Sequence, residues 1–349
     1  MKKKVLLTGI SGYIGNHCAV ELLKNGYSVR GSVRDLSKSQ KVIDAIKNEV
    51  DPKGNLEFCE LDLLIDDGWD EAMKGCEFVL HVASPFINKE PKDENEYIRP
   101  AVDGTMRALK AAKKAGVKRV IITSSIVAML ENADKSIKVD SKSWTNVNAR
   151  NVSAYAKSKT LAERNAWDFI NSQKNENPME LSVINPGPVF GPTLSGNMKG
   201  ASMGMMKKII LGKVPMIPQM SLNMSDVRDV AKIHVLALEN KNANGKRFIV
   251  TTEKAYAFQE LAQILKSNGY DKVSTRLAPN FLLNFIANFD REARSMKAFI
   301  GKTYKCDISS TMKTFNWKPI SLEKSILDTA KSIQFFRLNS NNKREETYL

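Results

Sequence analysis

The chain has 349 residues, 42% of them hydrophobic and 7% aromatic, with 53 Lys and Arg against 38 Asp and Glu for a formal charge of +15. No apolar run approaches the roughly 18 residues of a membrane-spanning helix, and the cysteines (Cys18, Cys59, Cys76, Cys306) and histidines (His17, His81, His234) are scattered, so a membrane protein, a disulfide scaffold and a zinc site are excluded as first readings. The positive charge runs from Lys2 to Lys343 with no basic stretch interleaved with stacking aromatics, which describes a solvated surface and argues against nucleic acid as a partner.

The chain opens MKKKVLLTGISGYIGNH, in which three lysines and an apolar run resemble an export signal while the glycines resemble a phosphate-binding turn. The run is only Val5 to Leu7 before Thr8, Gly9, Ser11 and Gly12 interrupt it, too short for a signal core. A cytoplasmic, reducing setting is therefore expected. The stretch predicts a short buried strand ending at Thr8, a tight turn, and a helix over about 13–25. Gly9 permits a sharp exit from the strand, Gly12 lets backbone amides approach a pyrophosphate, and Gly15 lets the helix pack on the sheet. Tyr13 and Ile14 sit at the helix start, where the amides and dipole favour phosphate. A turn that merely needs positive φ produces the same triplet, so context has to decide.

That context is an alternation of strands and helices. Strands are predicted at 27–33, 56–63, 77–84 and 118–125, separated by helices at 39–50, 69–75 and 97–116. A helix at 155–173 then leads to a strand from 179 that enters the Pro/Gly-rich loop 185–192, and 245–250 supplies a last strand. The pattern predicts an α/β fold with a doubly wound parallel sheet, ligands lying at the carboxyl ends of the strands. The expected division is a nucleotide-binding domain at 1–190 and 226–250, a smaller, mainly helical cap at 191–225 and 251–337, and a disordered polar tail at 338–349.

Two stretches carry possible chemistry: TSS at the end of the 118–125 strand and SAYAKSK at the start of the next long helix. Tyr155 and Lys159 are four residues apart, so they share a helix face roughly 6 Å apart along the axis. An ammonium beside a phenol favours the phenolate, so Lys159 is expected to lower the Tyr155 pKa and make Tyr155 an acid/base near neutrality. Ser125 could polarise the same oxygen. Ser124 is the alternative, since adjacent strand residues face opposite ways.

Taken in order, LLTGISGYIG, VRGSVRD, LDL, LHVASPF, VDGTMRALKAA, RVIITSS, YAKSK, NPGPVFGP and DVRDVAKIHVLAL resemble an extended short-chain dehydrogenase/reductase, in the dihydroflavonol reductase, cinnamoyl-CoA reductase and aldehyde/ketone reductase branch. The resemblance implies a Rossmann fold, a Ser125, Tyr155, Lys159 triad in which Lys159 also holds the nicotinamide ribose, and reduction of a small carbonyl compound. It further implies Asp62 and Leu63 around adenine, Val82, Ala83 and Ser84 along the middle of the cofactor, and Pro186 and Val189 beside the nicotinamide. Asp62 could equally cap a strand end, and Val82 and Val189 could be core.

An NAD-selective second strand ends in a carboxylate that binds the ribose 2′-OH, whereas a 2′-phosphate calls for cations. Here Val33 takes the place of the acid and Arg34 follows, with Lys41 as a second cation, so NADP(H) is the expected cofactor. Asp35 is the rival and fits the following turn. For the substrate pocket the candidates are Ser84, Phe86, Leu130, Met203, Met205 and Met206, the methionines serving equally well as core. Flavonoid reductases tend to carry an amide about where Leu130 sits, so an apolar residue there favours a general aldehyde or ketone. Rival readings are a nucleotide-sugar epimerase or dehydratase, a hydroxysteroid-type dehydrogenase and a non-catalytic NADP sensor. No metal is expected, and the chain is read as a monomer or homodimer.

Overall fold

A computed structural model of the chain describes residues 2–85, 91, 93–130, 137–149, 152–174, 176–289 and 299–345. The first strand, β1 (Lys4–Thr8), is buried on both faces. Val5 and Leu7 pack with Cys18, Ala19 and Leu22 of α1 (Tyr13–Lys24), while Leu6 joins Val79, Leu109 and Val120 on the other side. A strand covered on both faces needs a continuous apolar run, which VLL supplies.

The chain continues through β2 (Ser28–Val33), α2 (Ser39–Lys47), β3 (Leu56–Glu60), α3 (Trp69–Met73), β4 (Phe78–His81), α4 (Asn95–Lys114) and β5 (Arg119–Thr123). After a short β6 (Ile137–Val139) come α5 (Ala154–Asn171), β7 (Glu180–Pro186), β8 (Val189–Phe190), α6 (Ala201–Ile210), β9 (Ser221–Leu222), β10 (Ser225–Asp226), α7 (Val227–Glu239) and β11 (Lys246–Val250). Among the described residues these strands form a seven-stranded sheet in the order β3-β2-β1-β4-β5-β7-β11. Every adjacent pair is parallel, with helices on both faces. This is a doubly wound Rossmann fold, and its strand order reverses between β1 and β4, where a ligand crevice is expected.

The remaining elements are β12 (Tyr256–Ala257), α8 (Phe258–Ser267), α9 (Asn280–Phe289), β13 (Tyr304–Cys306), α10 (Ser309–Phe315) and α11 (Leu322–Glu345). They do not form a separate core: Phe258, Leu261, Ile326 and Ile333 join the apolar cluster that contains Val5 and Leu7. Two findings depart from the sequence reading. The segments at 137–139 and 304–306 pair as a parallel two-stranded sheet. The polar stretch beyond Leu338, expected to be disordered, continues α11 to Glu345.

Candidate active site

The glycine turn sits at the β1–β4 reversal. Gly9 has φ +71, and a methyl added there would stand 2.9 Å from the Cα of Ala83, the second residue beyond β4. A methyl on Gly15 would stand 2.2 Å from the Gly9 carbonyl oxygen, so α1 lies against the turn as only glycine allows. Gly12 donates its N–H to the Gly9 carbonyl (2.9 Å) and precedes the first turn of α1, whose leading amides have no partners within the helix. A shallow backbone cradle at a helix N-terminus fits a diphosphate. The half-buried Tyr13 donates its hydroxyl to the Gly191 carbonyl (2.8 Å), tying the turn to the loop after β8. Ile14 is half-buried against the core.

Arg34, directly after β2, and Lys41, in the first turn of α2, are exposed, and neither forms an ion pair among the described residues. Asp35 is engaged locally: its carboxylate accepts from the Ser37 amide (3.0 Å) and hydroxyl (2.6 Å), which hold its pKa down, and Lys38 stands 3.4 Å away. It caps the one-turn 3-10 helix 36–38. Val33 is buried. Two exposed cations therefore follow β2, and the carboxylate between them is already committed to the Ser37 amide and hydroxyl.

At the carboxyl end of β5 the two serines diverge. The Ser124 hydroxyl donates to Glu163 (2.6 Å), below the site, whereas the Ser125 hydroxyl is hydrogen-bonded to Tyr155. Ser153 caps α5 through the Ala156 amide (3.1 Å), which starts the helix just before Tyr155. Lys159, one turn further, donates its Nζ to the Thr123 carbonyl (3.2 Å). The expected depression of the Tyr155 pKa by Lys159 is not borne out. Burial pushes the phenol up to about 12, only partly opposed by the bond to Ser125, with the Tyr97 ring also raising it. Burial lowers Lys159 to about 8, against which the Glu163 carboxylate pulls upward. Desolvation outweighs charge here, with Lys159 buried and Tyr155 half-buried against its neighbours.

The other expected contacts are mixed. Asp62 accepts the Leu64 amide (2.8 Å), a strand-end cap, and Leu63 packs over Gly104 of α4. The Ala83 amide donates to the Thr8 hydroxyl (3.1 Å), fixing the 82–84 segment beside β1. Ala83 and Ser84 line a cavity of about 20 Å³, room for one water, with His81, Thr105, Ser124, Lys159 and Glu163 among its other walls. Val82 is half-buried; Pro186 ends β7 opposite Val250 of β11, and Val189 starts β8 opposite Ser225 of β10. Phe86 lies outside the described residues. Leu130 is 8% exposed and Met203 and Met206 are fully buried, all three within the apolar core, with Met205 packed against it. Those four are core side chains in this structure.

All three histidines are buried and held neutral by burial: His81 beside Thr8 (3.0 Å), His17 on the Pro192 carbonyl (2.8 Å) and His234 beside Thr123 (2.6 Å). Sequence reasoning missed Tyr97, whose ring centroid is 6.1 Å from that of Tyr155, and Glu163. The signal for Glu163 was available as the next step of the four-residue spacing that joins Tyr155 to Lys159.

The profile of the NAD dependent epimerase/dehydratase family matches residues 5–251. Cinnamoyl-CoA reductase CAD2 of Medicago truncatula is 34% identical over 268 residues, covering 75% of this chain and 79% of that protein. An NADPH-dependent methylglyoxal reductase of Saccharomyces cerevisiae is 31% identical over 284 residues, covering 76% and 82%. Among solved structures, that of Gre2 in complex with NADPH from Candida albicans superposes with a TM-score of 0.77 at 28% identity, over 95% of this chain and 98% of that one.

Proposed function

The chain belongs to the NAD dependent epimerase/dehydratase family and is an oxidoreductase of the extended short-chain dehydrogenase/reductase type, and from that premise we propose that it reduces an aldehyde or ketone to the alcohol with NADPH. The observation that carries the mechanism is the hydrogen bond between Ser125 and Tyr155, which joins two hydroxyls at the carboxyl edge of the sheet. A carbonyl oxygen placed between them meets two donors.

NADPH, when bound, supplies a hydride to the carbonyl carbon. Gly9, Gly12, Tyr13, Ile14 and Gly15 cradle its diphosphate, and Arg34 with Lys41 binds the 2′-phosphate. Asp62, Leu63, Val82, Ala83, Ser84, Pro186 and Val189 line its path over the sheet edge. As negative charge grows on the carbonyl oxygen, Ser125 donates to it and Tyr155 gives up its proton. A phenol whose pKa stands near 12 is protonated at neutral pH, the state that reduction needs. Lys159 lies one turn below, where its ammonium stabilises the phenolate that results and can reach the cofactor ribose.

The test is to follow NADPH absorbance with aliphatic, aromatic and dicarbonyl compounds, with alcohol quantified. Net oxidation matched by alcohol is expected. No consumption across the panel, together with cofactor that survives purification and interconversion of a sugar nucleotide, would refute the reading in favour of an epimerase.

A further inference from the structure

We propose that Glu163, braced by Arg247, is a positioning residue that keeps Lys159 in its charged form and fixes Ser125 beneath the reacting carbonyl. The inference rests on the reductase reading for its catalytic meaning. Tyr155, Lys159 and Glu163 follow one another at four-residue steps along α5 and so share its inner face. The first two address the chemistry; the third points into the protein, with its side chain 0% exposed.

The Glu163 carboxylate is the centre of a buried network. One oxygen accepts from the Ser124 hydroxyl (2.6 Å) and the Asn185 amide (2.9 Å); the other receives Arg247 Nε (2.5 Å) and the Trp167 indole (3.4 Å). The same Asn185 amide donates to the Ser125 carbonyl (3.2 Å), so the network holds the Ser124 side chain and the Ser125 backbone together. Arg247, on β11, is held in turn by the Ser141 and Ser143 carbonyls (3.2 and 2.6 Å) and stacks on Trp144 at 3.7 Å from the ring centroid. A buried carboxylate with this many donors is fixed in place.

Lys159 and Glu163 are two walls of the same water-sized cavity. Around Lys159 stand Tyr155 on its own helix, His81 from β4, Thr123 and Ser124 from the end of β5, and Thr105 from α4, with Tyr97 of α4 against Tyr155 and Arg247 behind Glu163. His81 is neutral through burial, reinforced by the charge on Lys159. Glu163 is the carboxylate that acts on the lysine, opposing the burial that lowers it to about 8. Without that carboxylate the lysine would titrate lower and lose its charge near neutrality.

The test uses the cofactor-free protein labelled with ¹³C at lysine Cε, Lys159 being assigned by its missing signal in Lys159→Met. Lys159 is expected to titrate near 8 in the native protein and lower in Glu163→Gln by about a tenfold change in its protonation equilibrium, with Glu163→Asp restoring the native position. An unchanged titration in Glu163→Gln overturns the proposal. If that variant does not accumulate, Arg247→Gln removes the counter-charge of the buried carboxylate and favours its neutral form, so the lysine titration should move downward; an immobile titration is again fatal. With a carbonyl substrate, the alkaline limb of kcat should move with the lysine while KM for NADPH stays put. A protein whose Lys159 shifts as expected but which reduces no carbonyl keeps this inference and overturns the reductase reading.

Discussion

At Tyr155 the fold favours the neutral phenol, and at Lys159 it favours the neutral amine, both through burial. Carbonyl reduction should therefore be insensitive to pH near neutrality and decline as pH rises through 8, where Lys159 loses its proton; a kcat profile that climbs across that range contradicts this. The sign for stability is opposite. The lysine's folded value lies below its ordinary 10.5, so the unfolded chain binds the proton more tightly between the two, and stability rises with pH across that window. At pH 7 the buried ammonium costs on the order of a few kcal/mol, so Lys159→Met should lose turnover yet melt higher than the native protein, and a lower melting temperature would speak against it. Arg34→Ala should weaken NADPH by roughly 10–100-fold and NADH little; equal losses in paired titrations would reassign the 2′-phosphate. The YxxxK spacing and the Ser-Ser strand end made this site legible in sequence. The direction of the Tyr155 shift was not, because spacing reports proximity along one helix and says nothing of how deeply the helix is buried.

Among the elements, the β1 turn and α1 are the most tightly specified. Gly15→Ala drives a methyl to 2.2 Å from the Gly9 carbonyl, and relieving it means lifting α1 off the turn, at roughly 1–3 kcal/mol. A lower melting temperature and at least a roughly tenfold loss of NADPH affinity should follow, whereas Gly200→Ala, with nothing within 4 Å of the new methyl, should leave both unchanged. Strands β1, β4 and β5 were legible because each carries an apolar run buried on both faces, whereas β3, with Glu57 and Glu60 exposed, was legible from its place in the alternation. The pairing of β6 with β13 was not: each is three residues long, the partners lie in distant parts of the chain, and no local pattern marks the contact. Continuation of α11 past Leu338 was hidden by polar composition, which describes an exposed helix face as readily as a disordered tail.

For the whole molecule, the segments expected as a cap, 191–225 and 251–337, share their packing with the sheet. Ile326, Ala330 and Ile333 of α11 are fully buried in the cluster that holds Val5 and Leu7, and Thr329 accepts the Gly191 amide (2.6 Å) beside the Tyr13 contact. Unfolding should thus be one transition by calorimetry, and a chain ending at residue 321 should not fold; two separated transitions would make the cap independent. The proposed NADPH-dependent carbonyl reduction turns on delivery of the proton by Tyr155. Its most direct test is the single-turnover rate of NADPH oxidation by Tyr155→Phe with the best aldehyde or ketone, alongside NADPH affinity. The account predicts a rate lower by roughly 10²–10⁴-fold at nearly native affinity; a native rate in that variant would contradict it.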